Sequence, residues 1–172
     1  MKKALLVIDM LDDFLKEDGA LTIGDGEAVT QNVKSRLEEW RSEEGGPVIY
    51  IMDRHRPDDA EFQMFPPHCI EGERGAEVIA ELAPRKEDFL IYKRRYSAFF
   101  GTDLDLTLRE LEVNELELVG VCTQICVLYT AADARMLNYG VTVRRKCVDS
   151  FDREAHRFAL REMEKTLGVK VL

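Results

Sequence analysis

Val121-Cys122-Thr123-Gln124-Ile125-Cys126 runs from an apolar segment into a helix-forming one, a setting in which a thiol can act as a nucleophile. A thiol at a helix N-terminus faces the positive end of the helix dipole, so the pKa of Cys126 is expected to fall. Backbone N–H groups at such a turn, those of Cys122 and Cys126 here, can also hold an oxyanion. The same spacing suits a small core residue sharing a buried helix face with Thr130 and Ala134, because free cysteine is among the most buried residue types. Company separates the two readings. A nucleophilic thiol needs a base for its proton and a cation beside the charged pair, and a carboxylate next to a lysine supplies both. Asp9 and Lys93 are the candidates, although each alone would suit a turn cap or a solvated charge.

A second constellation has the composition of a metal site. Asp53-Arg54-His55 puts a carboxylate and an imidazole on one side of an extended segment, and Glu61 and His68 follow. Two histidines with carboxylates suit zinc, iron or manganese. A polar loop with solvated histidines is the alternative, but two of the chain's three histidines fall in this one stretch. Cys69 would face away from His68 in an extended segment and reads as structural. His156, in a helical stretch near the C-terminus, reads as a packing or hydrogen-bonding residue.

The elements that must position these groups are legible from hydrophobic pattern. Ala4–Ile8, Val48–Met52, Phe89–Tyr92, Leu116–Val121, Val141–Arg144 and Val169–Leu172 read as strands, most of them apolar without alternation, as strands covered on both faces are. Helical patterns cover roughly Glu27–Glu44, Ala76–Leu82, Leu104–Glu112, Gln124–Asn138 and Arg153–Leu167. Glycine stops at Gly140 and Gly168 directly precede strands. Such alternation predicts an α/β fold, a parallel sheet with helices on both faces. Open sheets of this kind carry their sites at the carboxyl ends of the strands. There the chain places Asp9, then Asp53 and His55, then Lys93, then Cys122 and Cys126, on four successive strand ends. The long irregular stretch from Arg54 to Gly75 is of a length that is usually functional or disordered, and its histidines favour function.

Composition narrows the classes. With 172 residues the chain is expected to form a single domain over residues 1–172. Its net charge of −9 and the lack of a basic stripe argue against a nucleic-acid partner. The N-terminal apolar run breaks at Asp9, Asp12 and Asp13, too soon for a signal peptide or a membrane span. Four cysteines without a CxxC pair suggest reduced thiols and a cytoplasmic location. The first strand leads into Asp9-Met10-Leu11-Asp12-Asp13, acidic and glycine-free, which cannot cradle a dinucleotide pyrophosphate. Leu104, Leu108 and Leu111, or Tyr129 and Met136, suit a homo-oligomer interface and core packing equally well.

The sequence resembles the isochorismatase-like cysteine hydrolases, and within them the bacterial nicotinamidases. The likeness is carried by Lys2-Lys3-Ala4-Leu5, Ile8-Asp9, Asp13-Phe14 and Phe65-Pro66-Pro67-His68. It continues through Tyr96-Ser97-Ala98-Phe99, Gly101-Thr102-Asp103-Leu104, Gly120 to Leu128, Thr130-Ala131 and Asp133-Ala134. The resemblance implies a three-layer αβα, Rossmann-like fold with a six-stranded parallel sheet and a catalytic triad of Asp9, Lys93 and Cys126. It implies a non-proline cis peptide at Val121–Cys122, aiming the N–H groups of Cys122 and Cys126 at the oxyanion. It assigns Asp53, His55, Glu61 and His68 to one divalent metal, zinc foremost, and Phe14, Phe65 and Tyr96 to a nicotinamide pocket. The implied activity is hydrolysis of nicotinamide to nicotinate and ammonia through a thioester, a step of NAD salvage. A related hydrolase of N-carbamoyl or ureido compounds, in which Arg54 or Arg94 would face a substrate carboxylate, is the alternative, followed by a catalytically silent relative. Three positions depart from the family pattern: Arg54 stands for an aromatic residue, Gln124 for an acidic one and Tyr129 for a histidine.

Overall fold

Ala4–Ile8 is apolar at every position and fully buried, as a central strand between two helical layers must be. The computed structural model, which describes residues 1–24 and 26–172, makes this segment part of β1 (Lys2–Ile8). The remaining strands are β2 (Val48–Asp53), β3 (Phe89–Lys93), β4 (Val113–Val121), β5 (Gly140–Asp149) and β6 (Lys170–Val171). All six pair in parallel in the order β3-β2-β1-β4-β5-β6. The strand order reverses between β1 and β4, which opens a crevice at their carboxyl ends.

Alternate side chains of each strand feed two separate cores. Leu6 and Ile8 of β1, with Ile49 and Ile51 of β2, pack under α3 (Leu104–Glu110), α4 (Leu128–Met136) and α5 (Arg153–Lys165). Leu5 and Val7, with Tyr50 and Met52, pack under α1 (Asp12–Leu15) and α2 (Gly26–Ser42). The result is the expected three-layer αβα arrangement. Helix α2 presents Val29, Val33, Leu37 and Trp40 inward at helical spacing. Helix α5 starts where the Asp152 carboxylate accepts the N–H groups of Glu154 and Ala155.

One expected helix is absent. Ala76–Leu82 forms two short 3₁₀ turns, Arg74–Ala76 and Ala80–Leu82, with Val78 bridged to Leu11 between them. The backbone between the turns pairs with the chain after β1: Asp12 N–H donates to Glu77 O (3.0 Å), and Ile79 N–H to Met10 O (3.1 Å). Those long-range bonds replace the i→i−4 ladder a helix would need. Helix α3 also stops short of the expected Glu112, which takes a positive φ of 57°.

The sheet is tightest beside the crevice. A Cβ at Gly120 would lie 1.9 Å from the Ile8 carbonyl oxygen, and the residue has φ 121°. Only glycine fits both conditions, so β4 approaches β1 closely just before Cys122.

Candidate active site

Four strand ends deliver the polar groups to this crevice. Asp9 follows β1 in the left-handed region (φ 51°), where its Oδ1 accepts the Asp53 N–H at 2.8 Å. Lys93, the last residue of β3, reaches Asp9 Oδ2 at 2.9 Å, Asp53 Oδ1 at 2.5 Å and Cys126 Sγ at 3.4 Å. All four side chains are buried. A lysine ammonium survives complete burial here because two carboxylates flank it. Burial disfavours its charge, but Asp53 and Asp9 outweigh that and hold the Lys93 pKa well above its usual value. Burial and the Asp53 charge push Asp9 up to about 6, against the pull of Lys93. Burial works on Asp53 in the same direction, yet Lys93, His55 and His68 hold that carboxyl well below the usual range.

Cys126 lies in the π-helical turn Thr123–Val127 that joins β4 to α4. The Val121–Cys122 peptide is cis. The expected fall in the thiol pKa is not found. Burial first, then the Asp9 and Asp53 carboxylates, raise it well above normal despite Lys93. Burial, joined by two acids, outweighs Lys93 and leaves the thiol protonated at rest, and the helix dipole is too weak to reverse that. The N–H of Cys122 donates to no protein acceptor among the described residues.

The histidine cluster adjoins Asp9, Lys93 and Cys126 through Asp53. Asp53 Oδ2 lies 3.6 Å from His55 Nε2 and 3.8 Å from His68 Nε2, with all three residues buried. The other ring nitrogens are engaged, His55 Nδ1 with Asp59 Oδ2 (3.2 Å) and His68 Nδ1 with Pro66 O (2.8 Å). His55 Nε2 is buried without a partner. A nitrogen that is desolvated, unpartnered and oriented from behind is what a metal ligand requires, so the donor set fits a divalent transition metal. Glu61 is buried with Oε2 unpartnered, yet it lies outside the tight group formed by Asp53, His55 and His68.

The loop that carries His55, Glu61 and His68 folds back on itself. His55 bridges Ile70, and Asp59 caps the turn Ala60–Gln63 through the Glu61 N–H. Pattern reading missed Asp59, which looks like one more acid beside Asp58, and Phe62, whose ring packs on both histidines at 5.3 and 5.7 Å. Cys69 points into the opposite core, and its N–H donates to Asp13 Oδ2 at 2.7 Å. His156 donates or accepts at Thr123 Oγ1 (2.8 Å), which ties α5 to the Cys126 turn.

A cavity of about 20 Å³ lies against Cys126, Asp53 and His68. Phe14, Phe65 and Tyr96 line it, and so do Leu21, Ile125 and Phe151, which pattern reading had not picked out. The ring of Phe65 meets those of His68 and Tyr96 edge-on, and half-exposed Tyr129 leans on Tyr96. No lysine, arginine or other basic side chain besides His68 lines this cavity. Arg54 and Arg94 instead line a separate cleft. Gln124 lies within the Thr123–Val127 turn, its buried Oε1 without a hydrogen bond.

The family model for the isochorismatase domain matches residues 3–172. This chain belongs to the isochorismatase family. Members of the family are hydrolases, and the buried Asp–Lys–Cys arrangement is consistent with that. A Bacillus subtilis relative described as an uncharacterized isochorismatase family protein, PncA, is 39% identical, with 99% of each chain covered. The crystal structure of the nicotinamidase/pyrazinamidase PncA of Bacillus subtilis superposes with a TM-score of 0.93 at 40% identity over 99% of both chains. The pyrazinamidase of Pyrococcus horikoshii, solved in complex with zinc, gives 0.92 at 29% identity, covering 100% of this chain and 99% of that one.

Proposed function

We propose that the chain, acting as one domain over residues 1–172, hydrolyses nicotinamide to nicotinate and ammonia. The observation that carries this is the small aromatic cavity, free of lysine and arginine, that opens between Cys126 and the His68 ring. A neutral, flat heteroaromatic amide suits such walls, with Phe14, Phe65 and Tyr96 against its faces and edges. A ring does not fit in about 20 Å³, so lining side chains must move when substrate enters.

In the proposed mechanism Asp9 takes the Cys126 proton as sulfur attacks the amide carbon, and Lys93 stabilises the ion pair that forms. The N–H groups of Cys122 and Cys126 hold the oxyanion, each donor contributing about 3 kcal/mol in comparable sites. Asp9 then gives its proton to the leaving ammonia. Water, deprotonated by Asp9, cleaves the thioester and releases nicotinate, returning the proton to sulfur. Asp53, His55 and His68, with Glu61 nearby, would hold the metal, zinc foremost, which offers a Lewis-acidic seat for a pyridine nitrogen and offsets the Asp53 charge. The test is ammonia release from nicotinamide and pyrazinamide by purified protein, with Cys126→Ala as the inactive, folded control. A wild type inert on both amides sinks the substrate assignment.

An N-carbamoyl or ureido substrate bearing a carboxylate is favoured less, because Arg54 and Arg94 lie outside the cavity that holds Cys126. Thiol labelling of Cys126, prevented by bound amide, separates an active enzyme from a silent relative.

A further inference from the structure

The cleft lined by Arg54 and Arg94 lies outside the cavity at Cys126, and it gathers four arginines in a chain of net charge −9. It encloses about 550 Å³ beside the carboxyl ends of β2 and β3. Arg54, Arg56, Arg94 and Arg95 line it together with the buried Lys93, with Tyr92 and Phe100 as exposed aromatic walls and Glu71 as its one acid. It shares no lining residue with the cavity at Cys126. Four guanidinium groups gather in one concavity of a protein with net charge −9, and those without a carboxylate partner repel one another unless an anion joins them.

The arginines divide by role. Arg56 is tied to Asp58 at 2.9 Å and Arg95 to Asp59 at 2.9 Å, so their charges are largely matched. Arg54 reaches its nearest carboxylate, Glu71, only at 4.0 Å, and its Nε is buried without a partner. Its guanidinium carbon sits over the Tyr92 ring, 3.9 Å from the centroid, and this contact holds the fork in place beside the cleft. Arg94 is exposed and, among the described residues, has no carboxylate partner. Two open forks, one of them already oriented, are the donor set for a phosphoryl group. A concave site of this volume fits a small molecule, whereas a nucleic-acid strand would need basic groups running beyond it.

We propose that this cleft binds a small phosphorylated anion, held chiefly by Arg54 and Arg94. The site is joined to the catalytic centre by backbone: Arg54 follows Asp53, Arg94 follows Lys93, and Arg54 N–H donates to Lys93 O at 2.9 Å. A ligand bridging the two forks therefore grips both strand ends that carry the Asp53–Lys93 pair. Binding does not depend on which amide the Cys126 site hydrolyses.

Calorimetric titration of inorganic pyrophosphate into the purified protein tests this. One saturable site is expected, weakening as salt is raised through the physiological range. Arg54→Ala/Arg94→Ala should weaken binding by at least about tenfold, and Arg94→Ala alone by several-fold, the latter at an exposed position where folding is not at stake. Arg145→Ala, on a different surface, should leave binding unchanged. Absence of pyrophosphate binding by wild type overturns the proposal. So does an affinity unchanged in the double and single variants, the result expected if pyrophosphate were held by a metal at Asp53, His55 and His68.

Discussion

Lys93 Nζ stands 3.4 Å from Cys126 Sγ, fully buried, with Asp9 and Asp53 on its other sides. One cation thus serves a thiol and two carboxylates that would otherwise repel. Lys93→Met removes it while keeping the length of the side chain. In the proposed reaction kcat should fall by at least about 100-fold, the usual cost of losing a group that stabilises developing charge. Circular dichroism checks the fold, and retention of more than about a tenth of wild-type turnover would exclude this role for Lys93.

Chelation should lower the melting temperature as well as the activity. A metal bound to the folded state alone stabilises it by about 4 kcal/mol when present at about a thousand times its dissociation constant. Adding zinc back should restore the melt in wild type and do nothing in His55→Ala, whose Nε2 is the buried, unpartnered donor. Identical melts with and without chelator would remove the metal from the account.

His156 makes stability sensitive to acid. Burial first, then Arg153, Arg145 and Arg157, depress its pKa below the ordinary 6.5, against the pull of Asp149. The fold therefore prefers the neutral ring, so its contribution is complete above pH 6.5 and is lost as pH falls below that value. Denaturant midpoints at about pH 7.5 and about pH 5 should differ more in wild type than in His156→Gln. Equal differences would show that folding does not depress the His156 pKa.

Glu117, buried on β4, accepts Arg36 at 2.6 Å and Arg144 at 3.0 Å. Glu117→Ala leaves the buried Arg36 with only exposed Glu39 and Glu43, and should cost about 3 kcal/mol of unfolding free energy. Glu117→Gln, which keeps hydrogen-bonding capacity, should cost less. A loss below about 0.5 kcal/mol in the alanine variant would mean that the pair contributes no net stability.

Gly120→Ala should be the most damaging single-methyl change in the sheet. The added carbon meets Ile8 O at 1.9 Å and the backbone sits at φ 121°. A loss above about 4 kcal/mol, or no folded protein at all, is expected in a denaturant titration. A near-native midpoint would mean that β1 and β4 can separate without cost.

The one-dimensional pattern was sufficient for the elements buried on both faces. Uninterrupted apolar runs such as Ala4–Ile8 admit few solutions, and their alternation with amphipathic stretches implies the parallel sheet that was found. The residue types at the strand ends also named Asp9, Asp53, Lys93 and Cys126 as a group, and the structure brings them into contact. What sequence could not decide depends on distances between segments far apart in the chain. Ala76–Leu82 carries a helical pattern, but its backbone bonds go to Met10 and Asp12, partners visible only after folding. The Cys126 thiol is raised rather than lowered because folding buries it completely and then sets Asp9 and Asp53 beside it, against Lys93 alone. Arg54 and Arg94, one residue beyond Asp53 and Lys93, might have faced a substrate carboxylate by position alone. The strand pleat turns successive side chains to opposite sides, which sends Asp53 and Lys93 toward Cys126 and the two arginines to the neighbouring cleft.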